Sequence, residues 1–291
     1  MCDEDTVRDN EDYLKRISRR GFGTLAGAAG LMAMLPRAAN AQEVTEADVM
    51  IETPDGMADC FFAHPAEDAH AGVIVWPDIM GLRPAFKAMG RRLAESGYSV
   101  LTVNPYYRDA AAPVIAEGES FSDPPVRERL MPLAQSLRSD GAQTVRDAQA
   151  YVQWLDAQDS VDTSRQIGTT GYCMGGPLVM MTAAAIPDRI GAGGSFHGGG
   201  LTTEGDDSPH LLIPQMQAGF LIAIAANDDE RQPESKDILR AAFDDAGLMA
   251  EIEVYEGAMH GWCPPDSTVY NEAQAERAWE RLLALFGEAL A

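Results

Sequence analysis

Strand-type apolar runs alternate with segments of helical period along most of this 291-residue chain, which predicts an α/β fold: a mostly parallel sheet covered by helices on both faces. Two further observations agree. The length suits one large domain able to bury most of its chain surface. A glycine-rich turn, Gly168-Thr169-Thr170-Gly171-Tyr172-Cys173-Met174-Gly175-Gly176, joins a strand-like run to a helix-like one, as a parallel sheet requires.

The elements follow in order. Asp48 to Thr53 and Ala58 to Ala63 read as two strands, and Gly72-Val73-Ile74-Val75-Trp76 is a continuous apolar run of the buried-strand type. Phe86 to Ser96 has helical spacing and stops at Gly97; Tyr98 to Val103 is the next strand. Asp140 to Asp156 is a helix with Val145, Ala148, Val152 and Leu155 on one face. Strands then fall at 166–170, 192–196, 220–225 and 251–255, with helices at 177–186, 233–246 and 271–288. Tyr106 to Ser139, with Pro113, Pro124, Pro125 and Pro132, breaks this rhythm and is too long for a plain connection. It follows the carboxyl end of a strand, where open α/β sheets place ligands, so it reads as a lid or substrate-contacting excursion.

The N-terminal 41 residues read as an export leader rather than part of the fold. Ser18-Arg19-Arg20-Gly21-Phe22 is a twin-arginine signal, followed by a weakly apolar stretch from Gly23 to Leu35, then Pro36 and the small-residue cleavage site Ala39-Asn40-Ala41. The stretch is too short and glycine-rich to span a bilayer. Cleavage leaves Gln42 to Ala291 as the mature domain, in the periplasm, with no membrane span. Six basic and six acidic residues cancel in the leader, so the formal charge of −23 sits on the mature part. Such a surface repels nucleic acid and anionic lipid, so neither is an expected partner; separately, a small-molecule substrate and a monomeric state are expected. The cysteines are Cys2, Cys60, Cys173 and Cys263; with no C-x-x-C pair or zinc-type His/Cys spacing, no metal or other cofactor is expected. A twin-arginine substrate folds before export, so Cys60 and Cys263 are expected as free thiols.

The turn around Cys173 has the form Gly-x-nucleophile-x-Gly. Such a strand-to-helix turn strains its central residue and projects that side chain above the sheet. A thiol there needs a base to take its proton and a carboxylate to orient the base. In α/β-hydrolases these arrive in the order nucleophile, acid, histidine, each past the end of its own strand. Asp228 follows Leu221-Ile222-Ala223-Ile224-Ala225-Ala226-Asn227, and His260 follows Val254-Tyr255-Glu256-Gly257-Ala258-Met259. Asp229 and Glu230 compete with Asp228. His197, in Phe196-His197-Gly198-Gly199-Gly200, lines the pocket on this reading but precedes the acid in the chain. His64, His70 and His210 read as surface residues.

Trp76-Pro77-Asp78-Ile79-Met80-Gly81-Leu82, Gly171-Tyr172-Cys173-Met174-Gly175-Gly176, the Asp228 segment and Met259-His260-Gly261-Trp262 together resemble the dienelactone hydrolase (carboxymethylenebutenolidase) family, of the α/β-hydrolase fold, from about Asp48 to Phe286. The resemblance implies a Cys173-His260-Asp228 triad that opens an enol-lactone through an acyl-enzyme. It implies oxyanion contacts from the backbone N–H groups of Ile79 and Met174. It also implies an acidic residue, here Asp78, holding the resting thiol neutral; the family pattern has Glu, one methylene longer, and the alternative for Asp78 is a local cap of its turn. The family's substrate carries a carboxylate, for which Arg83, Arg108, Arg127 and Arg129 are the candidate cations. The residues after His260, Gly261-Trp262-Cys263-Pro264-Pro265, lack the family's substrate-binding arginine. A thiol esterase or lactonase is the leading reading; a cysteine-based redox or thiol-transfer protein and a non-catalytic binding member of the fold are the alternatives.

Overall fold

Eight strands form one sheet in the order β1-β2-β4-β3-β5-β6-β7-β8 in the computed structural model, which describes residues 4–17, 35–36 and 41–291. The strands are β1 (Val44–Thr53), β2 (Gly56–Pro65), β3 (Gly72–Trp76), β4 (Ser99–Val103), β5 (Ile167–Tyr172), β6 (Ile190–Phe196), β7 (Gly219–Ala225) and β8 (Ala250–Tyr255). β1 pairs antiparallel with β2, and β2 with β4; every later pairing is parallel. Every residue of β3, β4, β5 and β6 is buried, because helices cover both faces of a parallel sheet and leave no side for polar residues.

Within β3 the side chains alternate between two cores. Ile74 and Trp76 join one cluster, with Leu155, Val179, Leu239 and Phe243 from covering helices. Val73 and Val75 join the other, with Phe86, Leu93, Leu282 and Phe286. The helices, in chain order, are α1 (Glu4–Ile17), α2 (Pro84–Glu95), α3 (Pro124–Ser139), α4 (Gly141–Asp156), α5 (Gly175–Ala185), α6 (Ala226–Arg231), α7 (Ser235–Ala246) and α8 (Glu272–Ala289). Cys60 lies in the first cluster and Cys263 in the second, on opposite faces of the sheet, and both are free thiols.

Three elements depart from the pattern read in the sequence. The excursion from Tyr106 is loop only as far as Asp123; the rest is α3, which starts on Pro124 and Pro125. Proline in a first helical turn forfeits no hydrogen bond, so a pair of prolines that suggested loop instead starts a helix. Leu130, Ala134 and Leu137 then pack into the first core. The short α6, Ala226-Asn227-Asp228-Asp229-Glu230-Arg231, looks like polar loop in sequence, yet its acidic first turn favours a helix N-terminus. His64 belongs to β2 rather than to a surface loop.

The leader features expected over residues 18–34 and 37–40, and Cys2, lie outside the described residues. Ahead of them α1 is packed on the domain rather than standing apart from it. Thr6 is buried, Arg231 donates to its Oγ1 at 3.0 Å, and Arg231 also pairs with Asp9.

Candidate active site

Cys173 directly follows β5 at the centre of the sheet and precedes α5. Its φ is +53°, and the turn has no room for side chains beside it: a Cβ on Gly171 would stand 2.3 Å from the Gly175 carbonyl oxygen, and one on Gly175 would stand 2.4 Å from that of Trp76. Both glycines are therefore required by close backbone approach. Three non-glycine residues have positive φ among the described residues, and two of them, Cys173 and His197 (φ +41°), directly follow adjacent strands at this point. Each such conformation costs about 1–3 kcal/mol, so the surrounding structure must hold it. Cys173 N–H donates to the Phe196 carbonyl at 3.0 Å, and Gly199 N–H returns a bond to the Cys173 carbonyl at 3.3 Å, tying the two turns together.

A cleft of about 410 Å³ opens above this point, bordered by Asp78, Ile79, Cys173, His197, His260 and Asp266, with residues 115–122 forming one wall. His260 is buried, and its Nδ1 lies 2.7 Å from Asp228 Oδ2. Burial disfavours a charged imidazole, but the Asp228 carboxylate and the nearby Cys173 outweigh that and raise its basicity. Burial would likewise raise the Asp228 carboxyl, and the His260 contact holds it below the ordinary range. An ionised Asp228 can only accept, so His260 carries its proton on Nδ1 and leaves Nε2 as a base.

Of the three acidic residues, Asp228 is the one directed at His260. Asp229 points to Lys236 at 2.5 Å, and Glu230 is exposed. Asn227, which drew no attention in the sequence, accepts the His260 backbone N–H on its Oδ1 at 2.8 Å, fixing the histidine loop against α6. Its only sequence signal was adjacency to Asp228.

Ile79 and Met174 flank the elbow, and neither backbone N–H has an acceptor among the described residues, which suits donors reserved for a developing oxyanion. A second residue not anticipated from sequence braces both. The buried Tyr106 hydroxyl donates to the Ile79 carbonyl at 2.9 Å and lies 3.1 Å from Met174 Sδ.

Asp78 is buried beside Cys173, and both its oxygens are engaged. Arg83 Nη1 and Nη2 donate to it at 2.7 and 3.0 Å, and Met80 N–H caps the turn on Oδ1 at 2.9 Å. Burial raises the Asp78 carboxyl, Arg83 opposes that rise, and Cys173 adds to it.

Arg83 reaches the cleft but has no donor to spare. Its five N–H groups serve Asp78, Asp266 (2.6 and 3.0 Å) and the Gly81 carbonyl (3.3 Å). The other arginines expected to serve a substrate anion do not border the cleft. Arg108 is held by Asp55 and Asp147, Arg127 by the carbonyls of Phe121 and Ser122, and the exposed Arg129 by Glu119. With Asp78 and Asp266 around one arginine, and Glu117 and Glu119 on the wall, the described lining of the cleft is electrostatically unfavourable to an anion.

Helix α1 lies across the mouth. Thr6, Val7 and Asn10 border the cleft, and Asn10 Nδ2 donates to the His260 carbonyl at 3.1 Å.

A mostly parallel sheet with a strained elbow on a central strand makes this an α/β-hydrolase fold. Residues 58–290 match the dienelactone hydrolase family, and the chain belongs to it. A Salmonella typhi protein provisionally named carboxymethylenebutenolidase is 26% identical over 263 residues, covering 83% of this chain and 92% of its own. The carboxymethylenebutenolidase of Rhodococcus opacus is 25% identical over 232 residues, covering 77% and 84%. Among solved structures, a provisionally named dienelactone hydrolase from Klebsiella pneumoniae superposes with a TM-score of 0.72 at 23% identity, covering 85% of this chain and all of that one.

Proposed function

We propose that this protein is a hydrolase that cleaves a neutral carboxylic ester or lactone through a Cys173-His260-Asp228 triad and an acyl-enzyme. The observation that carries the reading is the strained Cys173 at the floor of a cleft that also holds the His260–Asp228 pair. His260 Nε2 takes the thiol proton as sulfur attacks the carbonyl carbon, and the tetrahedral oxygen is received by the N–H groups of Ile79 and Met174. Collapse breaks the C–O bond, and the leaving oxygen takes the proton from His260. Water then adds to the thioester, giving one proton to His260; the C–S bond breaks and that proton returns to sulfur. Asp228 holds the imidazole in the needed tautomer throughout and stabilises its cation.

Among the described residues no uncommitted cation borders the cleft, which supports neutral substrates over carboxylate-bearing lactones. The redox alternative is weakened because Cys60 and Cys263 are buried free thiols that burial holds in the protonated form, which makes them poor resolving partners for Cys173. A panel of aryl esters and lactones, neutral and anionic, assayed with wild type and Cys173→Ala tests the reading. Cleavage of neutral members by wild type alone is expected; equal turnover by the alanine variant would overturn it. The twin-arginine segment supports export to the periplasm, which cell fractionation of a tagged full-length chain checks.

A further inference from the structure

His197 is a buried polar group without a visible task. It is 1% exposed, and among the described residues neither ring nitrogen has a hydrogen-bond partner of good geometry, whereas buried polar atoms nearly always have one. Its backbone is held in the left-handed region by a 2.8 Å bond from its N–H to the Ala223 carbonyl, which aims the ring into the cleft. The ring lies edge-on to His260 and Trp262, with centroids at 5.1 and 5.0 Å.

We infer that His197 is a second imidazole of the catalytic centre, one that stays neutral and donates a ring N–H to the Cys173 sulfur when that sulfur is a thiolate. This rests on the reading of Cys173 as the nucleophile. The titratable groups facing His197 are Cys173 on the elbow, His260 after β8, Asp228 in α6 and Tyr172 at the end of β5. Burial, helped by His260, opposes protonation of the ring, and Cys173 is the contact that favours it most.

The chemistry requires a donor of this kind. When the thiol proton moves to His260 Nε2, the electron pair stays on sulfur, facing the Asp78 carboxylate, which repels it. A second cation beside the new imidazolium would be repelled in turn. A neutral imidazole offers one N–H and adds no charge, so it stabilises the thiolate without competing with His260. The proton on His197 is shared with sulfur and never transferred.

The test is the rate of Cys173 alkylation by iodoacetamide against pH, followed on the Cys173 peptide by mass spectrometry in the full chain. His197→Leu should move the profile about one pH unit higher and slow the reaction roughly tenfold near neutrality. His197→Asn keeps an N–H donor and tolerates positive φ, so it should stay within about twofold of wild type. A His197→Leu profile that coincides with wild type, or a His197→Asn profile displaced as far as that of His197→Leu, would overturn the inference.

Should His197→Leu fail to fold, nitrogen NMR of the histidine rings in wild type decides. A neutral His197 whose N–H signal moves on alkylation of Cys173 is expected; a cationic ring or an unmoved signal refutes the role. Alkylation reads the thiol and not turnover. Failure of the hydrolase reading would instead appear as ester cleavage surviving in Cys173→Ala.

Discussion

Asp228 and Asp229 are adjacent and chemically identical, yet one orients a histidine and the other a surface lysine, because successive residues of a helix point about a quarter-turn apart. Asp228→Asn is therefore expected to lower kcat by roughly 10⁴-fold with little change in KM, since the amide favours the imidazole tautomer that cannot accept the thiol proton. Asp229→Asn removes only a partly exposed pair and should leave kcat within about twofold. Steady-state kinetics on a cleaved ester separate the two. The cysteines divide in the same way. Burial pushes the Cys60 thiol up to about 12 and Cys263 well above its usual value, so both stay protonated at mildly alkaline pH. Mild alkylation of native Gln42–Ala291 should give a single adduct, on Cys173, with three adducts appearing only in denaturant; intact-mass and peptide analysis checks this.

At the scale of elements, the turn from β3 into α2 depends on one buried cation. Arg83 joins Asp78 in that turn to Asp266 in the loop after β8, and so fixes the loop that carries Ile79 relative to the loop that carries His260. Removing one partner of a buried pair strands the others. Arg83→Gln is expected to cost about 3–5 kcal/mol of stability, and Asp78→Asn added to it should recover part of that loss. Urea unfolding of the two variants measures both effects, and an unchanged midpoint in Arg83→Gln would show that the guanidinium has no structural role. A lone Arg→Gln change on the surface would move stability by a few tenths of a kcal/mol. The difference in size comes from burial, since Arg83 is 2% exposed.

At the scale of the molecule, helix α1 and the cleft above Cys173 meet. Thr6, Val7 and Asn10 of α1 border the cleft, and Asn10 bonds the backbone of His260 itself. A bulky substrate that has to displace this helix would reach Cys173 only in the fraction of molecules whose mouth is open. Removal of residues 1–41 is expected to raise kcat/KM roughly tenfold for bulky aryl esters and less for small ones, compared in parallel assays on the two forms. Equal values for both forms would show that α1 does not restrict entry. The same contact gives the acidic segment before the arginine pair a structural role: Asp9 pairs with Arg231 at the rim.

Local pattern alone determined the type of most elements, though not of α3 or α6, and the order of the candidate triad. A strand buried on both faces must be continuously apolar, and a side chain at the end of a parallel strand must face the open edge of the sheet. Cys173, Asp228 and His260 were therefore legible from what precedes each of them. The partners of charged and buried polar groups were not legible. Asp78 was expected to meet the thiol through its own carboxylate, but its oxygens also serve Arg83, five residues on, and that arginine is shared with Asp266, 183 residues away in the chain. Tyr106 braces Ile79 and Met174 from a segment that looked like loop. His197 looked like a poor base and stands instead beside the sulfur with its nitrogens unspent. Secondary structure follows from neighbours along the chain. Which donor meets which acceptor depends on side chains brought together across the sheet, and only the assembled tertiary structure decides that.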